Sequence, residues 1–318
     1  MKKSFAVTLA AVLAAASLSA CGSSNTTAPA ASAEAAVTEV ASEAASEAAS
    51  GAGATEAAAS SEATETAGGD ITPLAESVDI KIGASASPHA EILEAAKDQL
   101  AAAGINVEIV TYNDYVQPNL AVDQGELDAN YFQHQPYLDD FNEEHGTKIA
   151  SVGKIHYEPF GLYAGKSKDL NNIADGAQIA VPNDTTNEAR ALQLLQDSGI
   201  ITLKDGVGLE ATKQDIVENP HNIDILEVEA AQIPRSIDSV DYACMNGNYA
   251  IEAGFKPSDA LAQENPDSDA AQTFANVIAV SEANKDSEWA AKLVEVLHSA
   301  EIEKYITDTY EGGVVPVQ

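Results

Sequence analysis

The rhythm of apolar and polar positions divides the chain into three stretches. Residues 5–18 form an apolar run behind Met1-Lys2-Lys3. Residues 23–69 show no periodicity and consist almost wholly of Ala, Ser, Thr, Glu and Gly. From about Pro73 onward, short β-rich runs alternate with helical patterns. In this last stretch VDIKIGA at 78–84 alternates with period two and predicts a strand. Ser87-Pro88 reads as a cap residue followed by proline at the first helical position. Ile92, Ala96, Leu100 and Ala103 then recur at helical spacing, and Gly104 closes the helix. VEIV at 107–110 is the next strand, so the opening unit is βαβ over a parallel sheet.

Helix 116–124, strand 128–132, helix 135–144 and strands across 149–164 complete a first series. Strand 178–181, helix 187–197, strand 223–228, a short helix at 231–236 and strand 242–245 make a second. Strand 276–280 and helices 289–297 and 301–309 close the chain. About 245 residues is the upper edge of what one core holds, so the pattern predicts an α/β protein of two lobes. Lobe one is expected from 78–161 plus 274–318 and lobe two from 162–273, with crossing segments near Phe160 and Phe274 as the hinge. Ligands of open α/β sheets bind beyond the carboxyl ends of strands, so two facing lobes form a cleft.

The apolar run at the start is about 14 residues long, whereas a helix needs roughly 20 to cross a bilayer. With its basic beginning and the small residues Leu18-Ser19-Ala20, residues 1–20 read as a secretion signal. Cys21 directly after Leu-Ser-Ala matches the bacterial lipobox, in which the thiol is acylated and becomes the new amino terminus. An ordinary signal peptide with an incidental Cys is the plainer alternative. Several acyl chains hold a protein at a bilayer without spanning it, which places the chain on the extracytoplasmic face of the cell membrane. Residues 21–72 then read as the lipidated Cys and a linker, because their composition cannot offset the entropy of ordering. About 50 flexible residues hold the folded part ~35 to 40 Å from the anchor on average. Cys244, the other cysteine, has no partner for a disulfide and reads as a small buried apolar residue.

Formal charge is −34 from 50 acids and 16 bases. Without the two lysines of the signal and the eight acids of 22–72, 42 acids remain against 14 bases, or −28. Such a field repels nucleic acid and anionic lipid, although one local cation still holds one carboxylate.

Catalytic signatures are absent: there is no G-x-S-x-G, H-E-x-x-H, P-loop or G-x-G-x-x-G, and the six histidines show no paired ligand spacing. No metal site and no cofactor is expected. The informative residues are polar and aromatic ones at strand ends. Arg190 is one of only two arginines; it follows VPNDTTNE, where a strand ends and a helix opens with a Thr185-x-x-Glu188 capping box. A helix amino terminus beside a planar guanidinium suits a carboxylate, since the fork of donors holds both oxygens. A surface pair with Glu188 or Asp184 is the alternative. In DANYFQH, Phe132 suits the wall of an apolar pocket and His134 a hydrogen-bond donor, although core packing reads the same way. Tyr112 and Tyr115 point at the same cleft edge. Asn246-Gly247-Asn248-Tyr249 ends a strand with amides able to match both ammonium and carboxylate, or simply makes a turn. Asn276 opens the apolar strand NVIAV, where a buried amide needs partners and a ligand is one candidate.

The strings TYNDYVQPNLA, ELDANYFQHQPYLDDFN, VGKIHYEP, IAVPNDTTNEARALQLL, DIVENP, VEAAQIPRSIDSVDYACMNGNYAIEAG and NVIAV resemble the methionine-binding lipoprotein family, the substrate-binding component of methionine ABC importers. The resemblance runs over about 78–318 in one register. It implies a two-lobed type II periplasmic-binding-protein fold with the ligand cleft between the lobes. Its partners would be methionine, most simply L-methionine, and the importer's permease and ATPase subunits, with the membrane reached through the lipid anchor only. Carried over by motif, Arg190 would bind the ligand carboxylate, Tyr115, Phe132 and His134 would wall the side-chain pocket, and Asn248 and Asn276 would hold the polar end. Thr186, where many relatives have Pro, and Gly247, between the two asparagines, depart from the pattern; Gly247 is expected to loosen its loop. The rival readings are a methionine-containing dipeptide or another apolar amino acid in the same fold, a metal-binding lipoprotein, and a surface enzyme.

Overall fold

The computed structural model describes residues 71–266 and 269–318. The signal, Cys21 and the linker read from the sequence lie outside the described residues. Along the chain run β1 (Val78–Ser85), α1 (Glu91–Ala102), β2 (Ile105–Tyr112), α2 (Gln117–Asp123), β3 (Ala129–His134), α3 (Gln135–His145) and β4 (Ile149–Tyr157). After them come β5 (Gly161–Ala164), β6 (Gln178–Pro182), α4 (Thr185–Asp197), β7 (Thr202–Leu203), β8 (Ile216–Glu218), β9 (Asp224–Val228), α5 (Ile233–Ser236), β10 (Tyr242–Met245), α6 (Gly247–Glu252) and β11 (Ala260–Gln263). The chain closes with α7 (Asp269–Thr273), β12 (Asn276–Ser281), α8 (Glu288–Leu297), α9 (Ala300–Tyr310) and β13 (Val315–Pro316).

Two sheets result, and the fold is two-lobed α/β. The first has the order β13-β4-β12-β3-β1-β2 and the second β11-β5-β10-β6-β9, with β7 and β8 as a separate pair. β1 runs parallel to β2, with Val78 opposite Ile105, and parallel to β3, as the βαβ reading requires. The chain leaves the first sheet after Tyr157, joins the second at Gly161, leaves it after Gln263 and returns at Asn276. β12 lies antiparallel between β3 and β4, so its first residue sits beside the last residues of both.

Each sheet has its own core. Ile82, Ile92, Leu93, Leu100, Ile105, Leu293 and Ile306 are buried in the first, where the period-two face of β1 meets the helical stripe of α1. Leu162, Ile179, Val181, Leu192, Leu195, Tyr242 and Cys244 are buried in the second. Truncating any of the fully buried leucines to alanine costs about 2 to 5 kcal/mol. Two local expectations change. Ser87 is extended, like a cap residue, but its hydroxyl donates to the Glu91 carboxylate. The cap of α4 is Asp184, whose carboxylate accepts from the N–H of Asn187, and Thr185 is already the first helical residue. A carboxylate one position earlier reaches the free N–H groups and displaces the weaker hydroxyl cap.

Candidate functional site

Strand direction brings the site together. β3 ends at His134 and β4 ends just before Glu158; Asn276, first in antiparallel β12, pairs in register with both His134 and His156. From the other sheet, parallel β6 delivers Asp184 and α4, and β10 delivers Asn246 to Asn248. These ends enclose about 320 Å³ of space free of protein atoms, partly continuous with solvent. Tyr115, Phe132, His134, Arg190, Asn248 and Asn276 all line it. Gln133, Tyr137, Glu158, Asn187, Asn246 and Gly247 line it too.

One side is aromatic. The Tyr115 ring lies 5.6 Å from Phe132, 5.7 Å from Tyr137 and 4.9 Å from Tyr249, on which it stacks. Beneath this wall, Asn119 donates to Gln133 at 2.8 Å while its own Oδ1 accepts from Asn130 and Gln133. That buried amide net ties α2 to β3 and fixes the strand that carries Phe132. Tyr112 does not join the wall; it packs against the cluster of Ala121, Val122 and Leu127. Two residues, Asn113 and Asp114, separate it from Tyr115, and the turn between them faces the two rings differently.

The other side is polar, and its donors and acceptors are fixed by neighbours. His134 Nδ1 accepts from the N–H of Tyr137, so Nε2 carries the hydrogen and donates to Asn187 Oδ1 at 3.2 Å. Burial first, and then the Arg190 charge, lower the pKa of His134 to about 3, so the ring stays neutral. Asn246 Nδ2 donates to the same Asn187 oxygen, and Tyr115 donates its hydroxyl to Asn248 Oδ1 at 2.5 Å, joining the two lobes. Among the described residues, Asn246 Oδ1 and Asn248 Nδ2 are left as one buried acceptor and one buried donor without a partner. Such atoms each cost about 1 to 3 kcal/mol unless something meets them.

Arg190 is 4% exposed and pairs with neither Glu188 nor Asp184. Its Nε and Nη2 donate to the two oxygens of Glu264, each at 2.6 Å, and Nη2 also donates to the Glu158 carbonyl at 3.0 Å. The guanidinium lies 4.2 Å from the centre of the Phe274 ring and 5.1 Å from that of Phe160. The fork expected to face a ligand is thus taken on one edge by a residue 74 positions away, and Nη1 is the group these two residues do not engage. Arg190 instead staples both crossing segments to α4.

Glu158 was not singled out by sequence, although an acid closing the apolar strand in HYEP is a signal of its kind. It is buried, and its Oε1 accepts from His156 Nε2 at 2.7 Å with His89 Nε2 at 3.4 Å. Burial raises its pKa, while His89, the backbone N–H of Asn248 and Arg190 pull the other way. Gly247 does not loosen its loop: a Cβ there would sit 2.6 Å from Glu158 Cβ, so only glycine lets α6 approach this closely. His89, His156 and Glu158 also offer three potential metal-ligand atoms within 4.8 Å of one another. Both Nε2 atoms point hydrogens at acceptors, however, which is the chemistry of a hydrogen-bonded carboxylate and not of three lone pairs aimed at a cation. Asn187, a further lining residue that the sequence reading does not name, lies three positions before Arg190, and that same-face spacing is the signal for it.

Residues 80–318 match the family model described as NlpA lipoprotein. The chain is 44% identical over 240 residues to the D-methionine-binding lipoprotein MetQ of Salmonella typhimurium, covering 74% of this chain and 87% of that protein. It is 40% identical to the membrane lipoprotein TpN32 of Treponema pallidum, with the same coverages. Among solved structures, a nutrient-binding protein from Burkholderia cenocepacia bound to methionine is 44% identical, with a TM-score of 0.72 over 75% of this chain and all of that one. At this identity and coverage, the chain belongs to the NlpA lipoprotein family.

Proposed function

We propose that this protein captures methionine, most simply L-methionine, between its lobes for an ABC importer, whose permease and ATPase subunits are its partners. The observation that carries the reading is the unpartnered acceptor of Asn246 and donor of Asn248 beside Glu158 and Arg190, opposite a wall of aromatic rings. An α-amino acid with an apolar tail meets all of these: its carboxylate faces Asn248, Asn276 and the Nη1 of Arg190, its ammonium faces Glu158 and Asn246, and its side chain lies on Tyr115 and Phe132 with His134 alongside. The names of its relatives, D-methionine-binding in one and methionine-bound in another, support methionine as the ligand without fixing its hand. The action is binding without turnover, and the ligand favours a joined arrangement of the lobes by its differential affinity for it. The lobes proposed are 78–161 with 274–318, and 162–273.

Calorimetric titration of L-methionine, D-methionine, a methionine-containing dipeptide and leucine tests the reading. Methionine is expected to bind most tightly; a dipeptide that binds tenfold tighter replaces it as the ligand, and binding of none of the four sinks the proposal. Arg235→Ala, an exposed control on an outer groove with Asn113 and Tyr249, leaves affinity within threefold. Lipid attachment at Cys21 is part of the same proposal. Cys21→Ala releases the protein into the soluble fraction with binding intact, and a variant that still pellets with membranes places the anchor elsewhere.

A further inference from the structure

Behind Glu158, outside the cavity lining, lies a second layer of side chains. His89, in the turn between β1 and α1, is fully buried, and its Nε2 lies 3.0 Å from Asn276 Oδ1 and 3.4 Å from Glu158 Oε1. Both neighbours are acceptors, so Nε2 carries the hydrogen; it is donated to Asn276, and Glu158 Oε1 lies beside it without a hydrogen bond of its own from His89. His156 supplies the second N–H to the same Glu158 oxygen at 2.7 Å, and its Nδ1 pairs with the hydroxyl of Tyr131. The His89 ring stands edge-on to Tyr131 at 4.7 Å and lies 4.9 Å from His156, so packing fixes its plane. The consequence is geometric. With its Oδ1 held by His89, Asn276 is left its amide nitrogen to present to the cavity it lines. Among the described residues, the ion pairs of Glu158 are with these two histidines and with no lysine or arginine.

We propose that His89 is a positioning residue for amino-group recognition: it touches no ligand, but its ring borders the Glu158 carboxylate and its single N–H holds the Asn276 amide, so that an α-amino acid is told from its deaminated counterpart. This rests on the amino-acid reading of the cavity. Neutral donors orient the carboxylate without cancelling its charge, which leaves that charge for a ligand ammonium. An apolar replacement of His89 frees Asn276 to flip, which weakens any ligand with a carboxylate, and leaves Glu158 held by His156 alone, which adds a further loss for ligands that carry the amino group.

The test is calorimetric titration of methionine and of 4-(methylthio)butanoic acid, which is methionine without its amino group, into wild type, His89→Leu and His89→Gln. Wild type is expected to prefer methionine tenfold or more. His89→Leu should weaken both compounds but lower the preference for methionine over the acid at least threefold, and His89→Gln, whose amide donates, should recover most of the preference. If His89→Leu does not fold, His89→Asn takes its place, since its shorter amide falls short of Glu158 and is expected to lose the preference that His89→Gln keeps. Equal weakening of both compounds, or an unchanged ratio, overturns the proposal and leaves the amino-acid reading standing. Wild type that binds neither compound overturns both. A thermal shift with zinc chloride that disappears in His89→Leu overturns it as well, because the cluster is then a metal site.

Discussion

Glu158 and Glu264 lie on the two stretches of chain that cross between the sheets, both buried or nearly so, and they are balanced in opposite ways. Glu264 receives both edge donors of Arg190, the Tyr157 hydroxyl at 2.6 Å and the Phe160 N–H at 3.0 Å. Burial would raise its pKa, but Arg190 outweighs it and the net direction is down. Glu158 receives a hydrogen bond from the neutral His156, with His89 beside it, and burial wins, so its pKa goes up. A carboxylate matched by a built-in cation holds the two crossings to α4. One beside neutral donors has no cation of its own and is left at the cavity wall for a ligand to meet. Two acids of one type thus divide into a structural clamp and a receptor according to the charge of their neighbours.

The largest effect expected from breaking this contrast is on stability. Glu264→Ala strands a buried guanidinium, and removing one partner of a buried pair costs about 3 to 5 kcal/mol. Urea denaturation should show it, and a loss under 1 kcal/mol would mean the pair is not a clamp. Glu158→Gln should behave the other way. The amide still accepts from His156, so unfolding free energy changes by less than about 1 kcal/mol, but methionine affinity falls by about 1.5 to 3 kcal/mol, roughly 10- to 150-fold. Equal losses in stability for the two variants would erase the distinction.

The smallest effect is in pH dependence. Burial lowers His89 to about 4 and His134 and His156 to about 3. As pH falls below about 6.5 the unfolded chain takes up protons that the native rings refuse, so stability is full above 6.5 and is lost toward 4, by at most about 1.4 kcal/mol per pH unit for each ring. Glu158, raised in the native state, opposes this: its contribution is full below its unfolded value and is lost as pH rises toward its native one. Glu264, lowered, loses its contribution only as pH falls below its unfolded value. His134→Gln should therefore flatten the fall in melting temperature between pH 7 and 5. An unchanged slope would mean His134 is protonated in the native state.

What was legible in the sequence was local. The period-two face of 78–84, the stripe of Ile92, Ala96 and Leu100, and the strand-to-helix junctions gave the βαβ units, because neighbours in sequence decide those patterns. The six residues carried over by motif all line one cavity. Pairings across long separations were not legible: nothing near Arg190 indicates that Glu264 takes its fork, and nothing near His89 indicates that it meets His156 and Glu158, 67 and 69 positions on. Gly247 was read as slack for want of knowing that Glu158 fills the space where its side chain would stand.

The path of the chain has a mechanical consequence. Ile71 and Leu74 pack on the first core, and β13, near the last residue, pairs with β4 of the first sheet. Tension arriving through residue 71 is therefore borne by the first lobe. The second lobe is joined covalently only through the crossings at 158–160 and 264–275, so a pull arriving at residue 71 does not run through the second lobe.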